Sequence, residues 1–555
     1  MSLSKFMYVK KPSYNSFNLS HSNCLTGNMG KLLPILATEV YPGDIFNLKS
    51  TVFIRTKPMI TAPFQNIRCT QRYFYVPLRF LMNHDDFEEY ISGGKNLEAT
   101  ISRPTINSGE NGFAAGSLMD LLGYASNYLD DNLNAVVVAN KTSLAWRLRA
   151  YAKVIRDHYL NHDVEDEDTI CPISFEAGAD TTTNTNIISA QWSQDYFNEN
   201  LPFSGRGEPT TIGIGDYAPV QGTGISLGIT DGTNNGGLIA SNLPNAANYN
   251  FCLTAGSGAY GENVGGDNPS PSLANKIVGI TTDASKSGMR ADLRAAVDVD
   301  VDELKTLFGM DNYKKLSARV GATYKDFLLG MWGEHSNDLR IDRSHYLGGR
   351  ISPIMLEEVE QTSATSETSP QGNLTARGAS VNGGQIFNYK FDDYGILLGI
   401  LCVMPDGKYF QGQDRALDYE DWLDYPNPRL SLLGDQATYV GELFTQGDDS
   451  TTTVGTTDVG NKTIFGFNPK YEEVRCIQSR VHGQYKTVQK YATQVREFAE
   501  PPLLNSSYLR GNPSKRIFAV LDQEYDSLDI EVGFQIFAKR RFPKYGNPAT
   551  MGLMY

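Results

Sequence analysis

The hydrophobic pattern is clearest between Lys31 and Leu81. Leu33-Pro34-Ile35-Leu36 leads into Glu39-Val40-Tyr41-Pro42-Gly43-Asp44, a turn signal in which Pro and Gly separate two apolar runs. Ile45, Phe46, Leu48, Val52, Phe53 and Ile54 then mark a strand rich in β-branched and aromatic residues. After breaks at Lys57-Pro58 and Ala62-Pro63, a second strand carries Ile67, Cys69, Tyr73, Phe74, Tyr75 and Val76 and closes at Pro77. The two read as paired strands opening a large antiparallel sheet. Further strand-and-turn patterns fall at 385–404, 462–477, 516–521 and 527–542, and Tyr346–Ile354 leads into another. The longest apolar run, Ile396–Met404, is too short to span a bilayer and reads as a buried strand.

Helical spacing is interspersed among these strands. His84–Ser92 begins with acidic residues and stops at Gly93-Gly94. Ala115–Leu129 is a second candidate. In Ser143–Leu160, the residues Leu144, Leu148, Tyr151, Ile155 and Tyr159 share one face, and Ser143 is placed to cap it. Arg149, Lys153 and Arg156 share another face, which reads as solvated, with nucleic-acid contact the alternative. Val301–Trp332 keeps the spacing through Tyr313, Leu316, Val320, Tyr324 and Phe327.

Composition sets the scale. At 555 residues the chain implies several domains or one core with large insertions. From Phe203 to Arg290, Gly, Asn, Thr and Ser dominate, while Tyr217, Tyr249, Phe251, Leu253 and Tyr260 supply apolar anchors. This segment reads as a partly ordered surface insertion, with a disordered linker as the alternative. The net charge of −14 disfavours a protein that wraps nucleic acid unaided, because phosphate contacts dominate that affinity. The six cysteines are scattered without a C-x-x-C pair, which fits a reduced compartment. The first residues show no apolar signal-peptide core, so no membrane insertion is expected.

Candidate chemistry is thin. The carboxylate pairs Glu357/Glu358, Asp392/Asp393 and Glu420/Asp421 suggest a glycosidase but are common surface features. His158 and His162 lack the Glu of a zinc helix, His21 and Cys24 have no second ligand pair, and Asp163–Asp168 lacks the order of a calcium loop. Gly213 and Gly215 open no phosphate loop. The chain therefore reads as a non-enzyme with no cofactor and no metal. The competing reading is a carbohydrate-binding or glycoside-cleaving β-sandwich. The dense basic cluster is Lys539, Arg540, Arg541 and Lys544 beside Tyr545 and Phe542, with Lys5, Lys10 and Lys11 at the other end. Lys539, Arg540, Arg541, Lys544, Lys10 and Lys11 are candidate contacts to single-stranded DNA, with stacking by the aromatics. The alternative is that the arginines pair with acidic groups.

A series of short words resembles the major capsid proteins of the small tailless single-stranded DNA phages, the gokushovirus-like Microviridae. They include Phe17-Asn18-Leu19-Ser20-His21, Tyr73–Arg79, Tyr346-Leu347-Gly348-Gly349, Glu360-Gln361-Thr362-Ser363, Ser369–Asn373, Ser479–Gly483 and Pro543-Lys544-Tyr545-Gly546, in family order. The resemblance covers the chain except its Gly/Asn/Thr-rich middle. It implies a mainly β fold: an eight-stranded antiparallel jelly-roll β-sandwich with long inserted loops and several helices. The expected divisions are an extended N-terminal arm at 1–30, first jelly-roll strands with a helical insertion at 31–202, the surface insertion at 203–290, and a helical segment with the remaining strands at 291–555. It also implies a sixty-subunit T=1 shell around circular single-stranded DNA, assembled in the host cytoplasm, with a small basic DNA-binding protein as partner. The insertion is expected to form a threefold protrusion facing a host receptor, with Tyr217, Tyr249 and Tyr260 as candidate receptor-facing residues.

Overall fold

The computed structural model describes residues 13–92, 102–207, 343–360, 374–432, 434–448, 450–522 and 525–544, and within 208–342 seven short strands and a helix. The chain divides into two compact units, Met1–Arg206 with Ser317–Tyr555, and Gly207–Leu316.

The first unit is mainly β. Its long strands are β1 (Asn15–Asn18), β2 (His21–Gly27), β3 (Leu33–Val40), β4 (Ile45–Thr56) and β5 (Ile67–Pro77), then β6 (His345–Pro353), β7 (Met355–Glu360), β8 (Leu374–Lys390), β9 (Gly395–Pro405) and β10 (Leu528–Arg540). One sheet has the order β1-β10-β4-β8-β7 with β2 also on β10; the other has the order β6-β5-β9-β3. All of these pairings are antiparallel. They are also nested: β1 and β2 pair with β10, β3 with β9, β4 with β8, and β5 with β6. A ribbon folded at its middle and rolled up gives this pattern, so the topology is consistent with a jelly roll.

Side-chain periodicity explains the two layers. β4 alternates, burying Phe46, Leu48, Val52 and Ile54 while Lys49, Phe53 and Arg55 face outward. That is the signature of a sheet with one solvated face. β9 is buried along nearly its whole length because both of its faces are covered. Leu397 and Leu401 meet β4 and β10 in the core between the sheets, and Leu398 and Ile400 pack with Leu148, Tyr151 and Ile155 on the other side. Across the core, Ser50 Oγ donates to Gln71 Oε1 at 2.8 Å.

Several elements differ from the sequence reading. β4 and β5 do not pair with each other; they lie in different sheets that share one core. The link between them contains Pro58 and Pro63, each lacking an amide donor, and it carries the chain from one layer to the other instead of closing a hairpin. Residues 15–18 and 21–27, placed by sequence within an extended arm, are strands on β10. The first long helix, α1 (His84–Ser92), matches its expected span. The second candidate shrinks to one turn, Leu118–Leu121, capped by Ser117 and followed by Gly123 at φ 84°. α2 (Trp146–His158) starts late because Thr142–Leu144 pairs with Thr105–Asn107.

The basic stripe on α2 is neither solvated nor free for nucleic acid. Arg149 is fully buried, with Nε 2.7 Å from Asp180 Oδ2 and Nη1 donating to Leu81 O at 2.9 Å. Lys153 pairs with Asp157, and Arg156 reaches Cys171 O and Asp168. Periodicity located the helix but could not reveal acceptors more than ten residues away in sequence. Around Phe518 the chain holds only a short 3-10 turn, Lys515–Ile517, where a strand was expected.

In the second unit, a five-stranded antiparallel sheet has the order Gly261–Val264, Asn250–Ala255, Asn235–Ser241, Gly228–Thr230, Gly279–Ile280. Val220–Gly222 pairs with Met289–Ala291. The helix α3 spans Val301–Val320, and the rest of its expected length lies outside the described residues.

Candidate nucleic-acid interface

The basic cluster at the end of β10 separates by strand geometry. Successive side chains alternate across a strand, so Phe537 and Lys539 face outward while Ala538 enters the core. Arg540 turns inward and is bound within the fold. Its Nε lies 3.0 Å from Asp44 Oδ2, and its guanidinium lies 5.2 Å over the ring of Tyr41 and 5.2 Å over that of Phe46. Burial pushes the Asp44 carboxyl above its ordinary pKa despite the pull of Arg540. Arg541 donates to Tyr14 Oη at 3.2 Å and covers that ring at 4.8 Å. Lys544 is exposed. Lys10, Lys11, Tyr217, Tyr249 and Tyr260 lie outside the described residues.

Strand register adds two lysines that the sequence did not single out. Lys539 pairs with Ile45, which pairs on its other side with Lys390; Ser16 flanks Lys539. One row further in, Asn18, Phe537, Asn47 and Asn388 stand side by side. The next row holds Gln535, Lys49 and Gln385. Directly opposed residues share a face, so Lys49, Lys390 and Lys539 project from one surface about 10 Å wide between outer strands. All three are exposed, and so is Phe537 at 58%. Lys390 has an exposed partner, Asp392, at 3.5 Å. Among the described residues, neither Lys49 nor Lys539 has an ion-pair partner. The surface combines mobile cations, amide side chains and one exposed ring, a set suited to phosphates and unpaired bases. Alternation marks Lys49 as outward in sequence, but only the pairing of strands hundreds of residues apart joins it to Lys539.

The acid pairs considered for catalysis do not form a carboxylate dyad site. Glu357 and Glu358 are neighbours on a strand, so they point to opposite faces. Asp393 lies 3.7 Å from Arg79, and Glu420 bonds Lys462 at 2.7 Å. A buried titratable cluster does occur elsewhere: Tyr196 donates to Glu442 Oε2 at 2.7 Å, and Arg415 Nη1 lies 3.0 Å from Glu442 Oε1. Burial holds both Tyr196 and Glu442 in their neutral forms to higher pH than usual. These groups satisfy one another beside the buried cluster of Tyr196, Phe197, Tyr409, Val440 and Leu443. His158 Nε2 lies 2.9 Å from Ser344 O, and the His21 ring packs 5.1 Å from Phe534, both as structural contacts. Among the described residues no group of three or more His, Cys, Asp or Glu is arranged to hold a metal, and no helix is long and apolar enough to cross a membrane.

Comparison with known proteins extends over nearly the whole chain. Residues 9–550 match the family model described as capsid protein (F protein). The chain is similar to capsid protein VP1 of Chlamydia phage 1, 28% identical with 96% of this chain and 95% of the relative covered. It is also similar to capsid protein VP1 of Bdellovibrio phage phiMH2K, at 26% over 97% and 96%, and of Spiroplasma virus 4, at 24% over 96% and 95%.

Proposed function

The chain belongs to the phage capsid protein (F protein) family, and we propose that sixty copies close into a T=1 icosahedral shell around a circular single-stranded DNA genome. The near-complete match to VP1 capsid proteins of three phages carries this reading. As a capsid protein of such phages the chain is a component of the virion, and its family marks a structural role. The finer fold assignment is an eight-stranded jelly roll. It counts β1 and β2 as one strand broken at Leu19-Ser20 and β7 as an addition at the edge of β8. The long connections supply area for contacts between copies, which need on the order of 800 Å² per partner.

The outward lysine surface of β4, β8 and β10 is the proposed contact to DNA. With a net charge of −14 the subunit cannot neutralise a genome alone. A small basic DNA-binding protein is therefore the proposed packaging partner. The 203–290 insertion is assigned to the outside of the shell as the receptor-facing surface, with Tyr217, Tyr249 and Tyr260 in that role. Its composition supports this, and so does the compact unit with its own five-stranded sheet.

Sedimentation and negative-stain microscopy of the expressed full chain test the assembly reading. Closed shells or pentameric precursors are expected; a stable monomer under all conditions that supports family assembly would overturn it. Trimming residues 221–265 tests the insertion. Intact shells with lost adsorption are expected, whereas intact shells that adsorb normally remove the receptor role.

A further inference from the structure

Two exposed patches of the first unit meet at one ion pair. Asp414–Asp424 reads DRALDYEDWLD, with five acids and a single arginine, and Arg415 turns inward to Glu442. This loop is fixed to the fold: Tyr471 Oη donates to Leu423 O at 3.0 Å, and Lys462 bonds Glu420. The Tyr419 and Tyr425 rings pack 5.1 Å apart. Even so, Leu417, Trp422 and Tyr425 stand 73%, 74% and 62% exposed. The fold holds these side chains in place without covering them.

The neighbouring stretch has the opposite charge. Val474–Arg496 contains no acid among its arginines and lysines. Among the described residues its Lys486 has no ion-pair partner, and neither does Asp421 of the loop. Ile477 and Val488 are 91% and 72% exposed, and Phe64, whose ring lies 6.0 Å from that of Tyr485, is 64% exposed. Arg480 Nη2 bonds Asp414 Oδ1 at 2.7 Å, so the acidic and basic halves lie side by side. Together the six apolar side chains expose on the order of 800 Å², more than the roughly 300–600 Å² of a monomer's largest apolar patch. It is about what one partner contributes to a stable interface.

We propose that this double surface is where two copies of the chain meet about a twofold axis near Asp414 and Arg480, the acidic half of each lying on the basic half of the other. A twofold contact needs a self-complementary surface, and adjacent halves of opposite charge provide one. A half-turn about their junction matches acid to base twice over, whereas laying like half on like half opposes acid to acid. The buried apolar side chains, with Trp422 as anchor, supply the affinity, and the charges set the register. The proposal rests on the assembly reading for the existence of a second copy and names the face that copy covers.

Two experiments on the full chain test it. Assembled particles of the double variant Asp421→Cys with Lys486→Cys are treated with a short bis-maleimide, with the parent as control. A cross-linked dimer that grows no further is expected, because both bridges join the same two copies. A ladder of larger products overturns the twofold arrangement, since a head-to-tail contact links copy after copy. Particles that give no new band overturn the proposal and leave the shell reading standing. Charge reversal is read by sedimentation of dilute subunits. Asp421→Lys alone and Lys486→Glu alone are each expected to weaken the dimer by about tenfold or more. An equal mixture of the two should restore it, since both contacts of the mixed pair then match. No weakening, or weakening without restoration, overturns the proposal. A parent that stays monomeric at every concentration overturns both this proposal and the shell reading.

Discussion

Arg540 Nε stands 3.0 Å from Asp44 Oδ2, which joins the last residue of β10 to the turn that opens β4. Asp44 is 1% exposed, and it also accepts a bond from the Tyr41 amide. The most basic stretch of the sequence thus spends one of its charges inside the fold, on an acid of the same chain. Removing one partner of such a pair leaves an uncompensated buried charge.

Arg540→Gln is therefore expected to destabilise the subunit by about 3 kcal/mol. Adding Asp44→Asn should restore part of that loss, because the orphaned charge goes with it. Urea unfolding of the isolated subunit measures both. A single variant as stable as the parent would show that the pair adds nothing to the fold.

A second buried pair sets the behaviour in acid. Burial pushes the Asp180 carboxyl up, but bonds from Arg149 and Thr183 together outweigh it, leaving its pKa below the usual aspartate value. The unfolded chain titrates near 3.9. The bonded carboxylate therefore contributes stability that is present above about pH 4 and lost as pH falls through the depressed folded value. Asp180→Asn should lower stability at pH 7 by about 3 kcal/mol, since Arg149 keeps its charge. It should also flatten the fall in stability below pH 4. An acid unfolding curve with the parent's slope would contradict this.

Much of the first unit was legible in sequence where the cause is local. The run Ile396–Met404 became the buried β9, and the acidic start and Gly-Gly stop of His84–Ser92 marked α1. Pairing was not legible. β1 meets β10 across more than 500 residues, and no turn chemistry announces so distant a partner. For the same reason the lysines were read by proximity in sequence. Lys539 and Arg540 looked like one cluster, yet they face opposite ways, while Lys49 and Lys390 join Lys539 only through register.

Within the sheet β6-β5-β9-β3, cross-strand neighbours also stand too close for an added methyl at one point. A Cβ on Gly399 would lie 2.8 Å from Tyr73 Cε1 and 3.2 Å from Ile35 Cγ1. Both neighbours are buried, so neither ring nor side chain can swing into solvent. Gly399→Ala is expected to cost about 1–3 kcal/mol through overpacking. Gly109→Ala, where no atom lies within 4 Å, serves as a control for space although its φ of 67° strains any side chain. Thermal melts of the two variants separate crowding from backbone strain. Gly399→Ala unchanged from the parent would mean the core yields at that point.

The lysine surface makes the sharpest demand on the proposed role. Lys49→Gln, Lys390→Gln and Lys539→Gln remove three charges from exposed side chains, so the fold should be unaffected. If these side chains neutralise phosphates of a single strand, the triple variant should flatten the slope of log affinity against log salt by about 2, at roughly 0.7 per charge. Packaged DNA should then leak from particles at lower salt than in the parent. Replacing Phe537 by Leu tests stacking separately, since it removes the ring while keeping an apolar group and the strand. Its effect should be independent of salt, because base–aromatic stacking carries no counterion term. Arg540 is unsuitable for this experiment, as its loss unsettles Asp44 and confounds binding with stability. A triple variant that packages and retains DNA like the parent would remove this face from the interior of the shell.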